Sequence, residues 1–208
     1  MGKKINRLGE INISNEGYIM KIVEYNGATD IVVEFQDNYK GRRHTGYNKF
    51  KDGGVRNPYH KSVYGVACVG DTKGVDSQGK PKKSYEMWIK MIQRCYDLES
   101  QRGMNKTYTE CKVCEKWLCY ECFEQDYELL KQEIGFSEKD YRLDKDIISK
   151  GNKVYCFEKC CIVNHEINCL FIKADAIRGD FPIGVTKCEN KYLARLSKKD
   201  EQGRNIRV

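Results

Sequence analysis

The sequence predicts an α+β fold, and three stretches carry that expectation. Two strand-like runs, 18–25 and 31–35, flank Asn26-Gly27-Ala28-Thr29-Asp30, which is a hairpin pattern. Two apolar stripes at helical spacing follow, one through Trp88, Met91, Ile92 and Cys95, the other through Trp117, Tyr120, Phe123, Tyr127, Leu130 and Ile134. A strand, strand, helix succession then occupies 141–171.

Composition narrows the class. The 208 residues carry a formal net charge of +7, with basic ends around an acidic middle over 84–150. That distribution suits nucleic-acid contacts made by flanking modules. No stretch reads as a signal peptide or membrane span, so the expectation is a soluble, cytoplasmic protein. Eleven cysteines without an export signal, and in odd number, favour reduced thiols with metal binding as an option.

Residues 1–64 read as a small β-module. Alternation puts Ile22 on one face, and Ile31, Val33 and Phe35 on one face of the next strand, with Tyr39, Tyr47 and Phe50 completing the core. Lys40, Arg42, Arg43, His44, Lys49 and Lys51 interleave with these aromatics. That is a pattern in which cations hold phosphate while rings stack on bases. The alternative is a tiny barrel with a solvated basic face. Residues 65–83, with Gly70, Gly74 and Gly79, read as a linker.

Residues 84–179 form the central domain. Ser84 stands where a helix cap belongs, and a second helix is expected from Glu115 to a stop at Gly135. Cys111-x2-Cys114 and Cys119-x2-Cys122 suggest thiolate zinc ligands, but only four residues separate the pairs. A nonlocal structural Zn²⁺ site joining Cys111 and Cys114 to Cys156, Cys160 or Cys161 is the other arrangement. Cys95, Cys169 and Cys188 read as buried small residues. A strand ending in Leu143-Asp144, a turn at Lys150-Gly151-Asn152, a strand over 160–163, and a helix capped by Asn164 complete the domain. Asp144 at a strand end and Asn168 in the helix offer oxygen to one divalent cation, Mg²⁺ or Mn²⁺. The plain alternative is a turn cap and a backbone hydrogen bond.

This stretch resembles the ββα-metal core of HNH homing endonucleases of the phage and mobile-element branch. The frame Trp88-x2-Met91-x2-Arg94-Cys95-Tyr96, Val113-Cys114-x2-Trp117, Gly151-Asn152 and Cys160 adds to the likeness over about 84–171. The resemblance implies a metal held by Asp144 and Asn168, aided by Asp146. Two positions depart from it: Lys145 stands where the family has the water-activating histidine, and Lys159 where it has the orienting asparagine. His165 is the candidate substitute base within the same stretch, and a surface or helix-start role is the alternative. Residues 180–208 are similar to the opening of an Apetala-type DNA-binding domain, truncated before its helix, with Arg195, Arg204 and Arg207 facing DNA. The implied function is DNA binding, with metal-dependent nicking or cleavage of double-stranded DNA. The alternative is an inactive scaffold that binds DNA or inhibits a host defence protein.

Overall fold

The computed structural model describes residues 6–132, 134, 137–171, 181, 184–194, 197–199 and 205–207. It bears out the α+β class, with helices and several small sheets along one chain. The chain divides into two compact units, residues 1–162 and 163–208. No helix among the described residues is long and apolar enough to cross a membrane.

The first unit begins with an antiparallel sheet ordered β1 (Ile11–Ile13), β2 (Ile19–Gly27), β3 (Asp30–Phe35) and β4 (Arg42–Thr45). The expected hairpin is present with a tighter turn: Gly27 pairs with Asp30, leaving Ala28 and Thr29 to reverse the chain. Register shifts between Ile22 and Glu24 bend β2. Met20, Ile22, Ile31, Val33 and Phe35 are buried together with Phe50 of α1 (Tyr47–Lys51) and Val55. Of the three aromatics assigned to this core, Phe50 is buried and Tyr47 is partly buried, fixed by Arg7 and Glu10. Tyr39 is 55% exposed.

Residues 65–83 were expected to link two domains but pack against the helical region. Cys68 N–H donates to Leu118 O, Glu121 N–H to Val69 O, and Thr72 Oγ1 to Glu124 Oε2. Ala67 and Cys68 are buried. Short polar residues signal a flexible spacer only when their backbone groups lack partners, and here they have them.

Helix α2 (Lys83–Tyr96) buries Trp88, Met91, Ile92 and Cys95, the stripe read from spacing. Ser84 lies inside its first turn rather than at the cap, and its hydroxyl shares a buried 2.8 Å hydrogen bond with Tyr120. A short α3 (Leu98–Arg102) is capped by Asp97, and β5 (Lys112–Val113) follows. The helix expected from Glu115 is a 3₁₀ turn over Glu115–Leu118 and then α4 (Tyr120–Lys131). Trp117 explains the break. Its indole N–H donates to Asp126 Oδ2 at 2.7 Å, while its carbonyl accepts from Trp88 Nε1 at 2.8 Å, a placement achieved in the separate turn. Trp88, Trp117, Tyr120 and Phe123 are fully buried in one core. Each such side chain contributes about 2 to 3 kcal/mol by burial.

β6 (Tyr141–Asp144) follows, then β7 (Val154–Tyr155) pairing in parallel with β5, and β8 (Cys161–Asn164) pairing with β6. The boundary of the two units falls within β8. The second unit holds α5 (His165–Phe171) and two hairpins. The first is β9 (Val185–Cys188) with β10 (Lys191–Ala194), the second β11 (Ser197–Lys199) with β12 (Asn205–Arg207). Asn164 Oδ1 accepts from Glu166 N–H at 2.7 Å, as expected of a helix cap.

Candidate nucleic-acid interface and metal-site positions

The strand end at Asp144 is shaped by its own turn. Asp144 Oδ1 accepts the amides of Asp146 at 2.6 Å and Ile147 at 2.8 Å, so this oxygen holds the chain reversal. Lys145 turns inward and is 8% exposed. Its Nζ donates to Asp146 Oδ2 at 2.6 Å and sits 5.9 Å from the centroid of the Tyr108 ring. Burial pulls the ammonium pKa down, but the bond to Asp146 and the charges of Cys111 and Asp146 outweigh it and hold the group above its ordinary value. A protonated lysine has no lone pair with which to activate water. Lys145 is held as a cation by Asp146, in keeping with its departure from the family's histidine at this position.

Asn152 of the Gly-Asn turn holds that turn through its side chain. Its Nδ2 donates to Lys145 O at 3.0 Å and Val154 O at 2.8 Å, and its Oδ1 accepts from Val154 N–H, tying the turn to β7. His165 and Asn168 lie on α5 in the second unit. The His165 ring is exposed and lies 3.8 Å from Cys169 Sγ one turn on.

Among the described residues no group of three or more His, Cys, Asp or Glu side chains is placed to hold a metal ion. One oxygen of Asp144 accepts from the amides of Asp146 and Ile147, and one oxygen of Asp146 accepts from Lys145 Nζ, which leaves the second oxygen of each carboxylate outside these bonds. Among the candidate zinc thiols Cys156 neighbours both Cys114 and Cys160. Cys111 lies near Cys95 and Lys145, whereas Cys114 neighbours Cys156. Cys160 is buried deeper, its thiol pushed up to about 12 by burial. Of the cysteines expected to be buried, Cys95 is, Cys169 is half-buried, and Cys188 is exposed on β9.

The basic residues of the β-module fall into two groups. Arg42 is bound by Glu34 at 2.8 Å across β4 and β3, and Arg43 pairs with Asp71. Both are engaged in ion pairs, and the Arg42 side chain stays 60% exposed. Lys40, Lys49 and Lys51 are exposed and have no carboxylate in ion-pair range among the described residues. Arg195 and Arg204 lie outside the described residues, and for Arg207 the backbone in β12 is described but not the side chain.

Beside Lys40 the structure places a feature that periodicity could not reveal. The rings of Tyr39 and Tyr59 stack at 4.5 Å with planes 7° apart. The chain reverses just before them, with Asp37 Oδ1 accepting the amides of Tyr39 and Lys40, and Lys40 at φ 54. Asn57 Nδ2 donates to Asp37 Oδ2 at 2.6 Å, and Tyr59 OH donates to Glu121 Oε2 at 3.0 Å. The Tyr59 ring is thus anchored to α4, and Tyr39 is exposed and followed in the chain by the exposed Lys40. An aromatic face with an adjacent cation can stack a base and hold its phosphate. Gly41 makes the approach possible, since a Cβ there would lie 2.9 Å from Pro58 Cγ and 3.1 Å from the Tyr59 ring.

No family model matches the chain, and no curated protein or solved structure is significantly similar to it.

Proposed function

We propose that the chain is a DNA-binding protein with an HNH-like frame, of phage or mobile-element type, that holds DNA without hydrolysing it. The observation that supports the binding half is the Tyr39–Tyr59 stack, with Tyr39 exposed and the exposed Lys40 next to it in the chain. Lys49 and Lys51 extend the cationic surface of the same module. The non-hydrolytic half rests on Lys145, whose ammonium is committed to Asp146 where the resemblance places a water-activating group.

Fluorescence anisotropy of a labelled DNA against salt tests the binding. Affinity should fall steeply with salt, and replacing Lys40, Lys49 and Lys51 by Ala should reduce the slope by up to about 3. Tyr39→Ala should weaken binding by about tenfold, the lower range of one lost base stack. An unsubstituted protein that leaves DNA free at low salt would overturn this reading.

One observation favours a protein partner as a second reading. Leu8, Ile11, Ile13 and Ile19 are each more than half exposed, and Ile13 pairs with Ile19 across β1 and β2. Retention of a host protein that is lost in an Ile13→Lys, Ile19→Lys variant, with DNA binding unchanged, would support it. Equal retention by the variant would exclude that surface.

A further inference from the structure

Three thiols meet at the start of α4: Cys68, and the Cys119 and Cys122 of the second Cys-x2-Cys pair. Cys68 lies directly opposite Cys119 in a parallel bridge. Cys68 N–H donates to Leu118 O, and Tyr120 N–H donates to Cys68 O, each at 2.9 Å. Residues paired this way carry their side chains on one face, with backbones about 4.8 Å apart. That spacing is inside the range of roughly 4.4 to 6.8 Å between Cα atoms that a disulfide spans. Hydrogen bonding links the Cys119 thiol to Cys68 and also to Cys122, which is half-buried one turn further on. Cys68 and Cys119 are each 5% exposed, enough for a small oxidant to reach an edge of the pair but not for a protein thiol to intrude.

We propose that Cys68 and Cys119 are a dithiol that closes to a disulfide on oxidation by hydrogen peroxide. The Cys68 thiolate attacks one peroxide oxygen, the O–O bond breaks, and the departing hydroxide takes a proton to leave as water. Cys68 is then a sulfenic acid. The Cys119 sulfur attacks the Cys68 sulfur as its own proton passes to the leaving hydroxyl, and the S–O bond breaks to release a second water. Two thiols and one peroxide become one disulfide and two waters, with the sulfurs oxidised by two electrons and the peroxide reduced by two.

The division of roles follows from the surroundings. The hydrogen bond from Cys119 holds the Cys68 thiol below its ordinary range, aided by Lys61 and against the effect of burial. The same bond pushes Cys119 up. The cation Lys61 neighbours Cys68 and favours its thiolate, which makes Cys68 the first nucleophile and Cys119 the resolving thiol. The bond fastens the segment that follows Tyr59 to the start of the helix that receives the Tyr59 hydroxyl through Glu121.

The test uses the full chain, fully reduced and then exposed to a small excess of hydrogen peroxide. Free thiols are blocked, the protein is digested without reductant, and the linked peptides are identified by mass spectrometry. The expected result is loss of two of the eleven free thiols, a peptide joining 68 to 119, and recovery of both thiols with dithiothreitol. Cys68→Ser should remove that peptide. The map of the unsubstituted chain decides the matter even if the variant folds poorly. A link between Cys119 and Cys122 instead, a Cys68 sulfinic acid beside a free Cys119, or eleven surviving thiols would each overturn the proposal.

Discussion

Gly41→Ala is the smallest change that separates the aromatic stack from the rest of the fold. The new methyl would meet Pro58 Cγ at 2.9 Å and the Tyr59 ring at 3.1 Å, and Gly41 is buried, so no open space receives it. Pro58 is part of a rigid ring, and the displacement must pass along 58–59. Overpacking of this kind costs about 1 to 3 kcal/mol. Losing the Tyr39 stack adds about 0.5 to 1.5 kcal/mol. The Tyr59–Glu121 hydrogen bond, an acceptor carboxylate with a partly buried donor, contributes roughly another 1.5 kcal/mol if it breaks. The steric shift and the lost contacts overlap, so the expected loss is about 3 kcal/mol, read as a lower urea midpoint with an unchanged slope. DNA affinity, measured well below that midpoint, should fall about as far as in Tyr39→Ala. A variant with native stability and native DNA affinity would refute the claim that Gly41 seats the platform.

Two further outcomes follow from the central core and its edge. Asp126 is 4% exposed and accepts from Trp117 Nε1 and Lys116 Nζ, both at 2.7 Å. Lys116 is largely exposed, so its ion pair adds little, and Asp126→Ala should cost about 3 kcal/mol, chiefly by stranding the buried indole N–H. A loss below about 1 kcal/mol in chemical denaturation would contradict that origin. Glu124 illustrates pH dependence: burial pushes its carboxyl up, but donors from Lys82, Thr72 and Tyr120 prevail and hold it below its ordinary 4.5. A depressed carboxyl stabilises the fold above its unfolded value and loses that contribution as pH falls through the folded one. The stability gap between the native chain and Glu124→Gln should therefore narrow as pH drops below about 4.5. A gap independent of pH would contradict it.

Where periodicity governs packing, the fold was legible. Met91, Ile92 and Cys95 follow Trp88 at helical spacing and are buried, and Ile31, Val33 and Phe35 alternate into the sheet core. The 141–144 strand was also readable, since Asp144 ends it with a side-chain bond to the next turn. Backbone partners were not. The glycine- and polar-rich 65–83 segment was read as a spacer because its attachments are main-chain bonds, which composition does not encode. The site was legible in its residue types but not in its pairings. Arg42 and Arg43 look identical to Lys40 as cations in a string of letters, yet Glu34 sits across the ladder from Arg42 and Asp71 reaches Arg43 from 28 residues away. The stack of Tyr39 on Tyr59 and the meeting of Cys68 with Cys119 are likewise products of long-range contact.

Incubation of supercoiled plasmid with the purified chain in Mg²⁺ or Mn²⁺, beside an Asp144→Ala control, bears most directly on a protein that binds DNA without cutting it. With Lys145 held as an ammonium by Asp146, both proteins should retard the plasmid and leave it supercoiled. Nicked or linear plasmid from the native chain, absent with Asp144→Ala, would show a working hydrolytic centre and contradict the proposed function.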